Sequence, residues 1–524
     1  MKITNQISNL TKFLSIAILS SSIFTFGCSQ LNGLGESKPE ENKVENDLSN
    51  LDGDGLIEQC VLNIEKMNFS ESLKYCNKAA DQNDARAQTV LGTLYEGGFG
   101  VDQDYLTAFN WYKKSAEQNL PLAQMNLGRF YEQGLEINQD YAEALKWYQR
   151  AATNGHAPAL NIIGNMYEKG LGVNKDYAEA LSWYQKAAEQ GEALGLNNIG
   201  QLYENGLGVK QSYSNALEYF QKAADLGNAS AQRNIGELYL KGNAVKQDYK
   251  EAYNWFKKAA DQGDGEALFH ISILYTMGKG VEKDMDKMAL YMRQAAENGH
   301  LLSQRMLATS FLKAEKYDEA FKWAYKAALQ GDDFSQDIVG TFYYYGLSVE
   351  KNYSKALKWF LKAAEQGNTS SQKQLGLMYY NGYGTSQDYN EAYYWFKKAA
   401  DRGDVGSQSL LGGMYFEGKG VQKNPIEGVK WLKKAADQGN EKAQRLLGYI
   451  YYKGIDVKKD YTQALNFFKK ATAQNSPEAP YFLGEMYLDG TGVKRNKSKA
   501  KEYFGIACDR KNQDGCSMYR KLNQ

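Results

Sequence analysis

Gly170-Leu171-Gly172 stands just before a stretch that reads as a helix. A G-x-G at a helix N-terminus is where free N–H groups and the helix dipole converge on an anion. A phosphate site of this kind occurs once and needs a lysine at fixed spacing. Here the pair returns as Gly206/Gly208, Gly278/Gly280 and Gly418/Gly420, so it marks a recurring turn rather than a phosphate cradle. Asn50, Asp52, Asp54 and Gly55 occupy places one, three, five and six of a calcium loop, but Val61 stands where the bidentate Glu belongs. His156, His270 and His300 are the only histidines; two fall in inter-repeat turns, and none has a matching acid and nucleophile at repeat spacing. The sequence therefore assigns no catalytic residue, no metal ligand set and no cofactor, and no small-molecule substrate is expected.

The elements that carry these turns are set by composition and period. The chain has 524 residues, with 62 basic and 62 acidic side chains. That length would suit three or four ordinary domains, unless repeats void the count. Balanced charge argues against a nucleic-acid footprint. Six prolines against 50 glycines suit many short helices ended by glycine. At the N-terminus, Lys2 and Lys12 precede an apolar run from Phe13 to Phe26, shorter than the roughly 20 residues of a membrane span. It fits a signal peptide over residues 1–27. Thr25-Phe26-Gly27-Cys28 resembles a bacterial lipobox, with Thr25 where that motif carries leucine. The resemblance implies lipidation of Cys28 and a membrane contact through the lipid, and Ser29 favours the outer membrane. Residues 28–55 are polar and acidic, and read as a disordered linker. Removing Cys28 leaves four cysteines, an even number in a chain that looks exported. Cys60 and Cys76 sit in the first helical pair and Cys508 and Cys516 flank the last turn, so the disulfides Cys60–Cys76 and Cys508–Cys516 would staple the two ends.

From Gly164, steps of 36 residues reach Gly92, Gly128, Gly200, Gly236, Ser272 and Ala308; a step of 32 reaches Gly340; steps of 36 then reach Gly376, Gly412, Gly448 and Gly484. Each unit reads as two helices. The first carries the anchor, an aromatic residue three later (Tyr95, Tyr131, Tyr167, Tyr415) and a stop at Gly98, Gly134 or Gly170. The second opens on a capping box, with Asp140, Asp176, Asp248 and Asp388 at the N-cap and Glu143, Glu179, Glu251 and Glu391 three residues on. A glycine within a helix costs about 1 kcal/mol against alanine. Its recurrence predicts close backbone contact, with Ala144, Ala180 and Ala392 as its expected partners in the second helix. All eight tryptophans, Trp111 to Trp431, share one repeat position and read as wedges between units.

The pattern LGxxYexGxGVxxDYxxAxxWYxKAAxQG, almost intact from Ile163 to Gly191, resembles the Sel1-like repeat family over roughly residues 56–510. The resemblance implies an all-α, right-handed superhelical solenoid of about twelve tetratricopeptide-like units, used as a scaffold or adaptor. It divides the chain into an N-terminal capping pair at 56–88, repeats at 89–307, a shortened irregular repeat at 308–331, repeats at 332–511 and a C-terminal capping segment at 512–524. The Cys508–Cys516 stretch also resembles the helix-bridging disulfide of cysteine-rich relatives.

Within the repeats, the positions three before and one after the anchor vary most. They lie four apart, on one helical face, and in stacked helix pairs the first helix usually lines the concave side where solenoids bind. A protein partner is therefore expected there. Asn161, Asn165, Asn197 and Gln201 would form a neutral patch, and Arg233, Arg305, Lys373 and Arg445 a basic line. Phe269, Tyr449 and Tyr481 would serve as anchors. Ser272 and Ala308 replace the anchor glycine and four residues are lost after Phe311, so a bend or seam is expected between 272 and 331. The reading that follows is a non-catalytic envelope scaffold, an outer-membrane lipoprotein facing the periplasm or exposed on the surface. Alternatives are a periplasmic inhibitor or immunity protein for a cell-wall or membrane-acting enzyme, a structural spacer, or an enzyme acting on cell wall or β-lactams. For the last, Ser498-x-x-Lys501 spells the nucleophile motif of penicillin-recognising enzymes, but no Lys-Thr-Gly follows it.

Overall fold

The computed structural model describes residues 51–523. The signal peptide, Cys28 and the linker as far as residue 50 lie outside the described residues. Among the described residues there are 27 α-helices and no strand, with each helix typically 13 residues long. The chain divides into two compact units, one ending at Met288 and the other beginning at Ala289. The boundary lies inside the 272–331 stretch where the sequence breaks register, within the helix Met285–Glu297. In the first unit, successive helices from Gly53–Glu65 to Gly265–Met277 pack each on the next; in the second, those from Leu301–Lys313 to Gln513–Asn523 do the same.

The first described helix begins at Gly53 rather than at Leu56, so helix replaces the last residues of the expected linker. The acidic run is the reason: Asp52 accepts from the Gly55 N–H as N-cap, and Asp54 pairs with Arg86 at 2.6 Å. The calcium-like spacing thus supplies a cap and an ion pair. In the 157–192 repeat, the first helix, Ala157–Lys169, ends at Gly170 with φ 73° and the turn contains Gly172 with φ 70°. Gly172 lies against the backbone of Tyr141, where a side chain would collide with the preceding repeat. That close approach explains why the G-x-G recurs.

The second helix starts on a partial capping box. The N-cap carboxylates of Asp140, Asp176, Asp248 and Asp388 each accept from two backbone N–H groups. The N-cap's own N–H does not use the Glu three residues on. It donates instead to the carbonyl of the first helix's tyrosine, as from Asp176 to Tyr167 at 2.9 Å and from Asp140 to Tyr131 at 2.9 Å. The glutamates are thereby freed: Glu179 and Glu391 accept from the indoles of Trp183 and Trp395.

The anchor glycines do meet the second helix, but through a ring, or through Leu432 at Gly412, and not through alanine. A Cβ at Gly92, Gly128, Gly164, Gly200, Gly236, Gly340, Gly376, Gly448 or Gly484 would come within 2.5–2.7 Å of the Tyr or Phe ring of its own repeat. Ala144, Ala180 and Ala392 are fully buried one turn earlier. Ala308 departs from this pattern, and the place opposite it holds Ala324; both are fully buried in one cluster. The tryptophans bridge repeats as expected: Trp147 packs with Ala116, Ala123 and Leu127, and Trp431 with Ala400 and Leu411. Each of the eight carries a lysine or arginine three residues on, with its charge 3.8–5.0 Å from the ring centroid.

A polar clasp absent from the sequence reading ties neighbouring repeats. Buried glutamines four before the anchor, such as Gln304, Gln336, Gln408 and Gln444, donate to an alanine carbonyl of the preceding second helix at 2.9–3.3 Å. Each then accepts at 2.7–2.9 Å from the glutamine that ends its own repeat: Gln330, Gln366, Gln438 and Gln474. Gln372 keeps the first bond but not the second. Arg402 stands where glutamine is needed and turns to the Gly367 carbonyl, leaving the Gln372 Oε1 without a partner.

Both expected disulfides form. Cys60 and Cys76 join the first two described helices with a Cα separation of 5.1 Å, and Cys508 and Cys516 join the last two described at 4.4 Å. No helix among the described residues is long and apolar enough to cross a membrane.

Candidate binding face

The variable ladder is largely committed to contacts between repeats. The basic line is neutralised residue by residue. Arg233 pairs with Asp264 at 3.0 Å, Arg305 with Asp332 at 3.3 Å, Lys373 with Asp404 at 3.5 Å and Arg445 with Glu478 at 3.5 Å. Each of these acids is the N-cap residue of the next repeat's first helix. In the expected neutral patch, Asn161 and Asn197 are buried, and Asn197 accepts from Asn234 at 2.9 Å; Asn165 and Gln201 are half-buried. Phe269 is half-buried beside His270, Tyr449 packs on Phe482, and Tyr481 donates to Glu485 while packing on Phe482 and Phe504. A sequence shows that a position varies, but not that its variants answer one another across the next turn.

Two ladder residues do line an open groove. It lies in the second unit, between the first helices Leu301–Lys313 and Asp333–Tyr345. Leu302, Met306 and Phe334 give it an apolar floor, with Arg305, Thr309, Ser310 and Lys313 around them, and its volume is about 530 Å³. Met306 is 45% exposed and Phe334 43% exposed. In the next repeat the place of Met306 is taken by Ile338, which is buried. The helix Leu301–Lys313 belongs to the short repeat: its turn runs only through Ala314, Glu315 and Lys316 before the next helix begins at Tyr317. The shortened unit is visible in the sequence, but no repeat pattern marks Leu302, Met306 and Phe334 as groove residues.

Buried charge on the same face is structural. His270, 3.8 Å away, and Lys241, donating at 2.7 Å, hold the Glu237 carboxyl down to about 2, against burial, which pulls the other way. Burial pushes the Asp337 carboxyl up, and the Ser371 hydroxyl donating at 2.5 Å partly offsets this. His156 and His300 are N-cap residues, His270 stacks on Phe256 at 4.7 Å, and Ser498 is exposed in the first turn of Lys497–Asp509. Among the described residues no group of three or more His, Cys, Asp or Glu is placed to hold a metal ion.

Such a stack of helical pairs, tied by polar clasps and offering a mixed apolar face, defines a repeat-built protein-interaction scaffold. The Sel1 repeat model matches thirteen successive stretches, from 51–84 to 477–512, with the shortened unit matched over 305–332. The chain belongs to the Sel1 repeat family, whose members are generally non-catalytic protein-binding scaffolds. The pair expected to cap the N-terminus is thus itself a repeat, and the count is thirteen rather than about twelve. Among solved structures, the chain is similar to c5321, a protective antigen present in uropathogenic Escherichia coli. Identity is 31% over 86% of this chain and 90% of that one, with a TM-score of 0.39. It is similar to a Sel1 repeat protein from Oxalobacter formigenes at 32% identity, over 47% of this chain and 97% of that one, with a TM-score of 0.44. It is also similar to the immunity protein Pa5087 from Pseudomonas aeruginosa at 25% identity, over 36% and 70%, with a TM-score of 0.31. The comparison with curated proteins finds no match.

Proposed function

We propose that this chain is a non-catalytic scaffold of the bacterial cell envelope that docks a partner protein through the first-helix face of its second unit. The observation that carries this reading is the groove of Leu302, Met306 and Phe334. Two large apolar side chains stand nearly half exposed beside Arg305 and Lys313, an arrangement that favours a partner's apolar side chain with polar groups around it. Lipidation of Cys28 would tether the scaffold to a membrane, and two disulfides suit an oxidising compartment outside the cytosol.

The test is site-specific crosslinking in the source cell. A photoreactive residue at Met306 should crosslink one protein, and Phe334→Asp should abolish that adduct. A photoreactive residue at the exposed Lys358 should not capture the same protein. Equal capture at both positions, or an adduct indifferent to Phe334→Asp, would remove the groove from the function. Charge reversal at Arg233, Arg305 or Arg445 is not a clean test, because each also breaks a contact between repeats.

A further inference from the structure

The chain is neutral overall, but its charge is not evenly spread. From Lys419 to Lys521 there are 21 lysines and arginines against 11 aspartates and glutamates, an excess of ten positive charges that the preceding residues balance. Part of this excess surrounds a second concavity, of about 820 Å³, in the second unit. Its walls are the helix Pro425–Asp437, the turn at 457–459 and the start of the helix Tyr461–Ala473. Lys430, Lys433, Lys458 and Lys459 line it over an apolar floor of Ile426, Val429, Val457 and Tyr451. Ile426 is 68% exposed.

The local sequence accounts for the opening. At Gly172, Gly208, Gly280, Gly384 and Gly420, the second glycine of the turn is pressed against a tyrosine that opens the preceding second helix. Here Pro425 stands in the tyrosine's place and Asp456, with φ 51°, in the glycine's. The aromatic side chain that opens most other second helices is therefore absent at this junction. The nearby acids are already engaged. Glu427 pairs with Lys430 at 2.9 Å and Asp456 with Lys423 at 2.8 Å, while the Asp460 side chain accepts from the Thr462 and Gln463 N–H groups. Among the described residues, Lys433, Lys458 and Lys459 have no carboxylate partner.

We propose that this concavity binds an acidic polypeptide segment that also carries aliphatic side chains. Lysines without a carboxylate partner, Lys433 among them over the Tyr451 ring, call for carboxylates, and the exposed Ile426 with Val429 and Val457 calls for apolar groups between them. A concave wall with an apolar floor fits a chain segment better than a flat, uniformly anionic surface. The site is separate from the Met306 groove and stands without it.

The experiment is fluorescence anisotropy on the full chain. The probe is a labelled twelve-residue peptide of alternating glutamate and leucine; comparators are the glutamine–leucine peptide and vesicles containing an anionic phospholipid. The acidic peptide should bind, and its affinity should fall steeply with added salt. Lys433→Glu with Lys458→Glu should weaken it at least about tenfold, and Ile426→Asp several-fold. The pair Lys358→Glu with Lys362→Glu, exposed elsewhere in the same unit, should leave it unchanged. Equal binding of the glutamine peptide, an equal loss from the control pair, or no effect of Ile426→Asp would overturn the proposal. Vesicle binding that exceeds peptide binding and is lost with the same lysines would replace it with a lipid surface. If the double variant loses its helical circular-dichroism signal, Lys458→Gln and Ile426→Asp carry the test.

Discussion

Glu204 occupies a place where three earlier repeats make a specific bond. Glu96 accepts from Tyr112, Glu132 from Tyr148 and Glu168 from Tyr184, at 2.5–2.9 Å. Opposite Glu204 stands Phe220, whose ring packs on Gly200 as the tyrosines pack on their own glycines but carries no hydroxyl. Burial, with Glu237 nearby, pushes the Glu204 carboxyl up despite Lys241. The sign follows: a carboxyl raised in the folded state favours folding while protonated, and that margin is lost as pH rises through the raised value. Phe220→Tyr supplies the missing donor. It should increase amide-exchange protection of residues 193–225 by about 1 kcal/mol near neutral pH, and by less where Glu204 is protonated. Equal or lower protection at neutral pH would show that the hydroxyl does not reach the carboxylate.

At the level of the helix, the glycine anchor sets how closely the two helices of a repeat approach. Gly164→Ala should cost about 0–2 kcal/mol: overpacking against Tyr184 costs roughly 1–3 kcal/mol, and better helix propensity returns about 1 kcal/mol. Exchange should accelerate in both 157–169 and 177–189. A loss confined to the first helix would mean that the ring contact does not couple them. The period, the helix pair, the caps and the anchor were legible in the sequence because each is local or recurs at fixed spacing. The rest depends on neighbours in space. Ala180 has the small size expected beside glycine, yet Tyr184, one turn on, is the residue that reaches Gly164. Gln304 and Gln330 make their bond 26 residues apart, across a turn of reduced length, so no single helix pattern reveals it. Arg233 varies like a partner contact because its answering charge, Asp264, belongs to the next repeat.

For the molecule as a whole, stability is expected to be a sum of repeats and of junctions between neighbours. The disulfides lie in the first and last described helix pairs. Replacing Cys60 and Cys76 by serine should lower exchange protection over 53–81 by roughly 2–3 kcal/mol on the chain-entropy model. Repeats beyond about residue 160 should keep wild-type protection; a uniform loss along the chain would instead indicate one cooperative fold.

The glutamine clasp has a consequence for how such a chain changes length. Every bond it makes lies within one repeat or reaches only the repeat before it. A whole 36-residue block copied beside itself therefore arrives with its own donors, acceptors and seats, and the blocks on either side are met by the surfaces they already fit. The shortened unit keeps the same bonds, from Gln330 to Gln304 and from Gln304 and Gln336 to the alanine carbonyls before them, because its missing residues lie in the turn and not at the junctions. As far as the clasp is concerned the units are interchangeable parts, while the ion pairs from Arg233 to Asp264 and from Arg305 to Asp332 are what a new junction would have to match again.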